Sequence, residues 1–222
     1  MRLALFDLDH TLIPLDSDYA WGEFTVKLGW RDAQVFSQAN DGFYNDYRAG
    51  TLDIHRYVRF AIEAVRERGL AVAQKAHERF MHEVISPAMG EPARALLRRH
   101  QEAGDTVVIV TATNEFVTGP IARAFGVDEL IAIELERDAQ GEPTGAIRGT
   151  PSFREGKTAR VEQWLAARGL DWSRVGHSTF YSDSINDLPL LEKVDEPVAT
   201  NPDARLRAIA LERGWRTLNL FE

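Results

Sequence analysis

The sequence predicts an α/β fold: a doubly wound parallel sheet whose first strand is followed by an all-helical insertion. Three observations point there. From residue 92 onward, short apolar, β-branched-rich runs alternate with helix-length amphipathic segments. Glycines at 104, 126 and 169 stand where those segments should stop. Between the first strand and residue 86 no convincing strand pattern occurs. Strand–helix alternation implies parallel strands joined by right-handed crossovers. Residues 1–15 and 86–222 are therefore assigned to the sheet-bearing core, and residues 16–85 to a helical cap.

The first strand is the run Leu3-Ala4-Leu5-Phe6, which ends on Asp7-Leu8-Asp9. A continuous apolar run bounded by polar residues suits a strand covered on both faces. In the insertion, Trp21, Phe24 and Leu28 recur at helical spacing. So do Ile54, Val58, Ala61, Ile62 and Val65, with Gly69 as a C-cap. Phe80, Val84 and Ile85 close a later helix before Pro87. A helix is expected over 92–103, then the β-branched strand 106–111. A helix over 115–125, a short strand over 130–133 and a hairpin around Gly141–Gly145 come next. The remaining expectations are a helix over 156–168, strands over 178–182 and 196–200, a helix over 202–213 and an extended end over 215–220.

Composition narrows the function classes. The 222 residues are 44% hydrophobic and 27% charged, with a formal net charge of −8 and no cysteine. An acidic chain without a basic run lacks the cationic footprint of a nucleic-acid binder. No thiolate is available as nucleophile or metal ligand, and no disulfide can form. No apolar run approaches the roughly 20 residues needed to span a bilayer, and no signal peptide is evident, so a cytoplasmic protein is expected.

The chemistry is expected where the strands end. Open parallel sheets place their ligands at the carboxyl edge. Asp7 and Asp9 close the first strand, and alternation sends them roughly the same way. Thr111 closes the second, and a later strand runs into Asp183-Ser184-Ile185-Asn186-Asp187. Lys157 opens the helix before that strand. Carboxylates this close repel, and a divalent cation or a proton relieves the repulsion. Carboxylates with an open position suit Mg²⁺ and leave room for a phosphate, to which Thr111 and Lys157 add a donor and a positive charge.

These four stretches, in this order, resemble the motifs of the haloacid dehalogenase superfamily. An insertion after the first motif is similar to the subclass that contains phosphoserine phosphatase. The resemblance implies a Rossmann-like core and hydrolysis of a phosphate monoester. It makes Asp7 the nucleophile and Asp9 the general acid, then base. It assigns Mg²⁺ to Asp7, Asp183 and the Asp9 carbonyl, with Asp187 in the same metal set, orienting a bound water or Lys157. Thr111, Lys157 and Asn186 would hold the phosphoryl group. The presence of Asp9 argues against dehalogenation. The second motif reads Thr-Ala-Thr rather than the Ser-Gly-Gly type of phosphoserine phosphatase. Asp16 and Asp18 are the nearest candidates for a substrate amine, and Arg48 for a substrate carboxylate. The expected partner is a small phosphorylated metabolite, serine phosphate or another. Two alternatives stay open: a phosphotransferase or phosphomutase of the same superfamily, and a non-catalytic Mg²⁺-binding phosphoacceptor module.

Other features carry less. His77 and His82 are five apart, which does not align them as Zn²⁺ ligands on one helix face. The cap aromatics Tyr19, Trp21, Phe43, Tyr44 and Tyr47 are expected in the core ahead of any pocket.

Overall fold

The computed structural model describes residues 1–221. Strand β1 (Arg2–Phe6) leads into helices α1 (Ser17–Lys27), α2 (Ala33–Ala49), α3 (Ile54–Ala61), α4 (Glu63–Arg68) and α5 (Leu70–Phe80). A π-helical turn, Met81–Ile85, and the short α6 (Ser86–Ala88) return the chain to α7 (Glu91–Glu102). Then come β2 (Thr106–Asn114), α8 (Glu115–Ala124), β3 (Glu129–Ile133), β4 (Leu135–Arg137) and β5 (Pro143–Ile147). The chain closes with α9 (Glu155–Ala166), β6 (His177–Ser182), α10 (Leu188–Leu191), β7 (Glu196–Thr200), α11 (Ala204–Arg213) and β8 (Arg216–Leu218).

Six strands form one parallel sheet in the order β3-β2-β1-β6-β7-β8. The order turns back at β1, so the crevice beside it is the expected ligand position. Alternation along the strands splits the core into two clusters. Ala4, Phe6, Val107, Ile109, Tyr181 and Val198 belong to one cluster, and Leu3, Leu5, Val108, Val110, Phe180 and Ala199 to the other. Tyr181 stacks on Phe6 with centroids 4.6 Å apart. Its other edge is held by His100 Nε2, 2.8 Å from the phenol oxygen.

Helix starts are fixed by short polar side chains. Asp16, Asp32, Asp53, Asn114 and Asp203 each accept a backbone N–H in the first turn of α1, α2, α3, α8 and α11. Each such cap contributes about 1 kcal/mol.

Residues 16–85 carry helices and no strand. They share a core with the sheet. Trp21 of α1, 1% exposed, meets His77 and Phe80 of α5 and Phe116 of α8 at centroid distances of 5.3, 5.4 and 5.5 Å. His77 Nε2 lies 3.1 Å from the Val117 carbonyl, so this histidine is a core group. The hairpin β4–β5 stands apart from the main sheet and packs on α3 and α4. Glu142, in its turn, accepts the first amide of α5 at 2.7 Å. One sequence boundary also moves: β2 continues past Thr111 to Asn114, which pairs with Ile133 after a register shift. No helix among the described residues is long and apolar enough to cross a membrane.

Candidate active site

The carboxyl edge of the sheet opens into a cleft of about 760 Å³, roofed by α2 and the loops around it. At its floor, β1 delivers Asp7, whose amide donates to the Tyr181 carbonyl at 2.9 Å. That bond continues the β1–β6 ladder and sets Asp7 beside Asp183.

Lys157 comes from the first turn of α9. Its neighbour Gly156 is obligatory there, because a Cβ would lie 2.1 Å from the Pro151 carbonyl oxygen. The Lys157 ammonium sits 2.7 Å from Asp7 Oδ1 and 2.7 Å from Asp187 Oδ2. Burial works against its charge, but Asp187 and Asp7 outweigh burial and hold it above its ordinary range. Asp187 Oδ2 also accepts Ser182 Oγ at 2.7 Å. Of the two roles expected for Asp187, orienting Lys157 is the one its contacts match. Its carboxyl is pushed up to about 6, chiefly by burial.

Thr11 Oγ1 stands 3.3 Å from Asp7 Oδ2 and 3.2 Å from Asp183 Oδ1. Two carboxylates therefore crowd one hydroxyl. Burial, with Asp7 and Asp187 nearby, raises the Asp183 carboxyl well above the usual range. Among the described residues, no three acidic or imidazole side chains form a ready metal cage. The donors nevertheless fit Mg²⁺, which binds through one or two carboxylates and completes its octahedron with water and substrate oxygens.

Asp9 is pinned at both oxygens. Oδ1 accepts the Ser17 amide at 2.9 Å, and Oδ2 accepts Thr113 Oγ1 at 2.8 Å. Burial and the charge of Asp16 raise its carboxyl well above the ordinary range, against the pull of Ser17. Thr111 is buried at the floor, its Oγ1 accepting the Thr113 amide at 3.1 Å. Asn186 lines the cleft and receives Arg154 on its Oδ1.

The remaining candidates separate. Asp16 and Arg48 line the cleft. Asp18 does not: it is 5% exposed, behind the wall, where Oδ1 accepts Asn114 Nδ2 at 3.0 Å. Helix geometry turns the second residue of α1 inward while the cap residue faces the cleft. Trp21 is core, as expected. Phe43 is buried, as expected, and also reaches the cleft; Tyr19, Tyr44 and Tyr47 line the cleft, so the expectation of core placement fails for the three tyrosines.

Sequence reasoning passed over Thr113 and Arg154, and gave Tyr47 no contact with the core motifs. Thr113 had a signal: two residues beyond Thr111 on a strand, it shares that residue's side. Tyr47 OH lies 2.8 Å from Ser184 Oγ and bridges helix to core, and nothing in the local pattern marks it.

A family model described as haloacid dehalogenase-like hydrolase matches residues 4–192, which hold the whole constellation. The chain belongs to that family. This hydrolase is 44% identical over 218 residues to the histidinol-phosphatase of Neisseria meningitidis serogroup C (strain 8013), covering 98% of each chain. It is 32% identical over 215 residues to phosphoserine phosphatase SerB1 of Mycobacterium tuberculosis, covering 96% of this chain and 68% of that protein. A crystal structure of a protein with unknown function from Bordetella pertussis Tohama I superposes with a TM-score of 0.93 at 48% identity over 99% of both chains. A substrate-bound phosphoserine phosphatase shares the fold, with a TM-score of 0.68 at 16% identity over 98% of this chain and 92% of that one. The present hydrolase is accordingly a phosphatase of the haloacid dehalogenase type.

Proposed function

We propose that the enzyme hydrolyses a small, amine-bearing phosphate monoester through an aspartyl-phosphate on Asp7. The observation that carries this reading is the buried triangle of Asp7, Lys157 and Asp187, with Asp183 beside it and Asp9 facing the same cleft. The Lys157 ammonium, 2.7 Å from Asp7 Oδ1, orients that carboxylate for attack. An oxygen of Asp7 bonds to phosphorus as the ester P–O bond breaks, and Asp9 passes its proton to the departing alkoxide. A raised carboxyl is what that donation requires. Asp9, now a base, takes a proton from water. The water oxygen bonds to phosphorus, the P–O bond to Asp7 breaks, and inorganic phosphate leaves.

Asp7, Asp183 and the Asp9 carbonyl would hold Mg²⁺, which supplies charge neutralisation at the phosphoryl oxygens. Thr111 and Asn186 donate to those oxygens. Positioning and charge neutralisation are most of what phosphoryl transfer asks of a protein. The helices over 16–85 act as the cap that shields the reaction from bulk water, and the setting is cytoplasmic.

For the alcohol side, Asp16, Asp41 and Asp203 line the cleft with Tyr19 and Tyr44, against Arg48 and Arg205. An acidic, aromatic wall favours a cationic leaving group. Histidinol phosphate, the ester implied by the name of the Neisseria relative, carries an ammonium and an imidazole and no carboxylate. It is therefore preferred over phosphoserine, for which Arg48 would have to hold the carboxylate. Phosphate release from histidinol phosphate, phosphoserine and an aryl phosphate, each with Mg²⁺, tests the reading. A higher kcat/KM for phosphoserine overturns the substrate assignment. An isomerised ester without free phosphate overturns hydrolysis in favour of transfer.

A further inference from the structure

Arg154 adopts φ 53° and ψ −124°, a conformation that costs a side chain other than glycine. Such strain persists where the surroundings over-determine it, and here they do. The guanidinium lies 5.2 Å from the Phe153 ring centroid. Its Nε and Nη2 each stand 3.4 Å from Asn186 Oδ1. The same Nη2 also meets Gly50, where an added Cβ would lie 2.6 Å from it. Gly50 is the left-handed cap of α2, φ 78° and ψ 19°, three residues beyond Tyr47. Tyr47 in turn meets Ser184 at 2.8 Å.

A guanidinium only donates, so the Asn186 atom facing it is the oxygen and the NH₂ is left for the cleft side. We infer that Arg154 is a positioning residue that turns the Asn186 amide toward the phosphoryl group, with its own place set by the end of α2 at Gly50. The inference rests on the reading of Asn186 as a phosphoryl donor. An entering phosphoryl oxygen is the acceptor that this NH₂ meets. The planar fork holds the Asn186 oxygen from two donors, Nε and Nη2, whereas lysine would offer one flexible ammonium in place of the fixed pair. The end of α2 and the phosphate end of the cleft are thereby mechanically joined through one side chain.

The test is calorimetric titration of inorganic phosphate into the Mg²⁺-supplemented protein, with melting temperatures recorded alongside. Arg154→Ala and Arg154→Lys should each weaken phosphate about tenfold, the order expected for one lost hydrogen bond. Arg154→Gly relieves the backbone and should raise the melting temperature while losing the same affinity. Gly50→Ala pushes the guanidinium aside, so it should weaken phosphate in the wild-type background and change nothing further in the Arg154→Ala background. Equal effects of Gly50→Ala in both backgrounds overturn the coupling. Wild-type phosphate affinity in Arg154→Ala or Arg154→Gly, with Asn186→Ala impaired, overturns the positioning role. Wild-type affinity in Asn186→Ala shows that the underlying donor role is wrong, and the inference falls with it.

Discussion

The ammonium of Lys157 lies 2.7 Å from Asp7 Oδ1, a contact between residues 150 apart in the chain and both nearly sealed from solvent. The same ammonium reaches Asp187, so one cation balances two buried carboxylates. Removing it strands both. Lys157→Met should destabilise the fold by about 3–5 kcal/mol, the usual cost of breaking a buried pair from one side. Urea unfolding measures it, and phosphate release should vanish in the same variant. A loss below about 1 kcal/mol would mean the carboxylates find another partner.

Asp9→Asn keeps the carbonyl that receives Ser17 but has no proton to give. Loss of general acid–base help costs about 10²–10⁴-fold. The deficit should be larger for an alkyl phosphate than for an aryl phosphate, whose leaving group is already stable. With the aryl ester, the variant should accumulate phosphorylated Asp7, seen by rapid quench and mass measurement. Breakdown of that intermediate at the wild-type rate would assign the water to another base.

Asp7 and Asp183 crowd the Thr11 hydroxyl, and the Lys157 ammonium sits against Asp7. Activity should stop on chelation and return with Mg²⁺. Asp183→Asn should raise the Mg²⁺ concentration needed for half-maximal rate, with partial recovery at high Mg²⁺. Full turnover in excess chelator would refute a metal role.

Asp18 couples stability to pH. Burial, helped by Asp16, pushes its carboxyl up to about 7 from an ordinary 3.8. A raised folded value means stabilisation that is complete below the unfolded value and fades as pH climbs through about 7. Asp18→Asn retains the acceptor for Asn114 without the charge. It should gain about 1–3 kcal/mol over wild type at pH 8 and nothing at pH 3. His77 works at the other end: burial lowers it to about 4, so stability falls as pH drops from about 6.5 through 4. Denaturant midpoints across pH 3–9 resolve both, and a pH-independent difference between wild type and Asp18→Asn would show that Asp18 is not buried as an acid.

The sheet and the floor of the cleft were legible because each rests on short-range pattern. Apolar runs ending on Asp7, Thr111 and Asp183 mark strands whose carboxyl ends share an edge. Strand alternation also pointed to Thr113, had it been followed two residues further. The wall of the cleft was not legible. Asp16 and Asp18 are equivalent in sequence, and only the turn of α1 sends one to the cleft and the other inward. The hairpin β4–β5 announced its turn but not its partner, because docking on α3 and α4 depends on contacts far along the chain. Arg154 shows no local signal, since its role comes from Gly50 and Asn186 meeting it in space.

The central place of β1 also governs when the site comes into being. Leu3 pairs with Thr106 on one side and with Ser178 on the other. During synthesis β1 leaves the ribosome long before β6, its second neighbour. Until β6 has emerged, Asp7 has no Tyr181 carbonyl for its amide and no Asp183 beside it. Such long sequence separations slow folding, since distant ends must close before their contacts reward them. A nascent chain halted after α9 therefore carries Asp7 and Lys157 but no complete edge to the sheet, and the site stays unassembled until β6 joins β1.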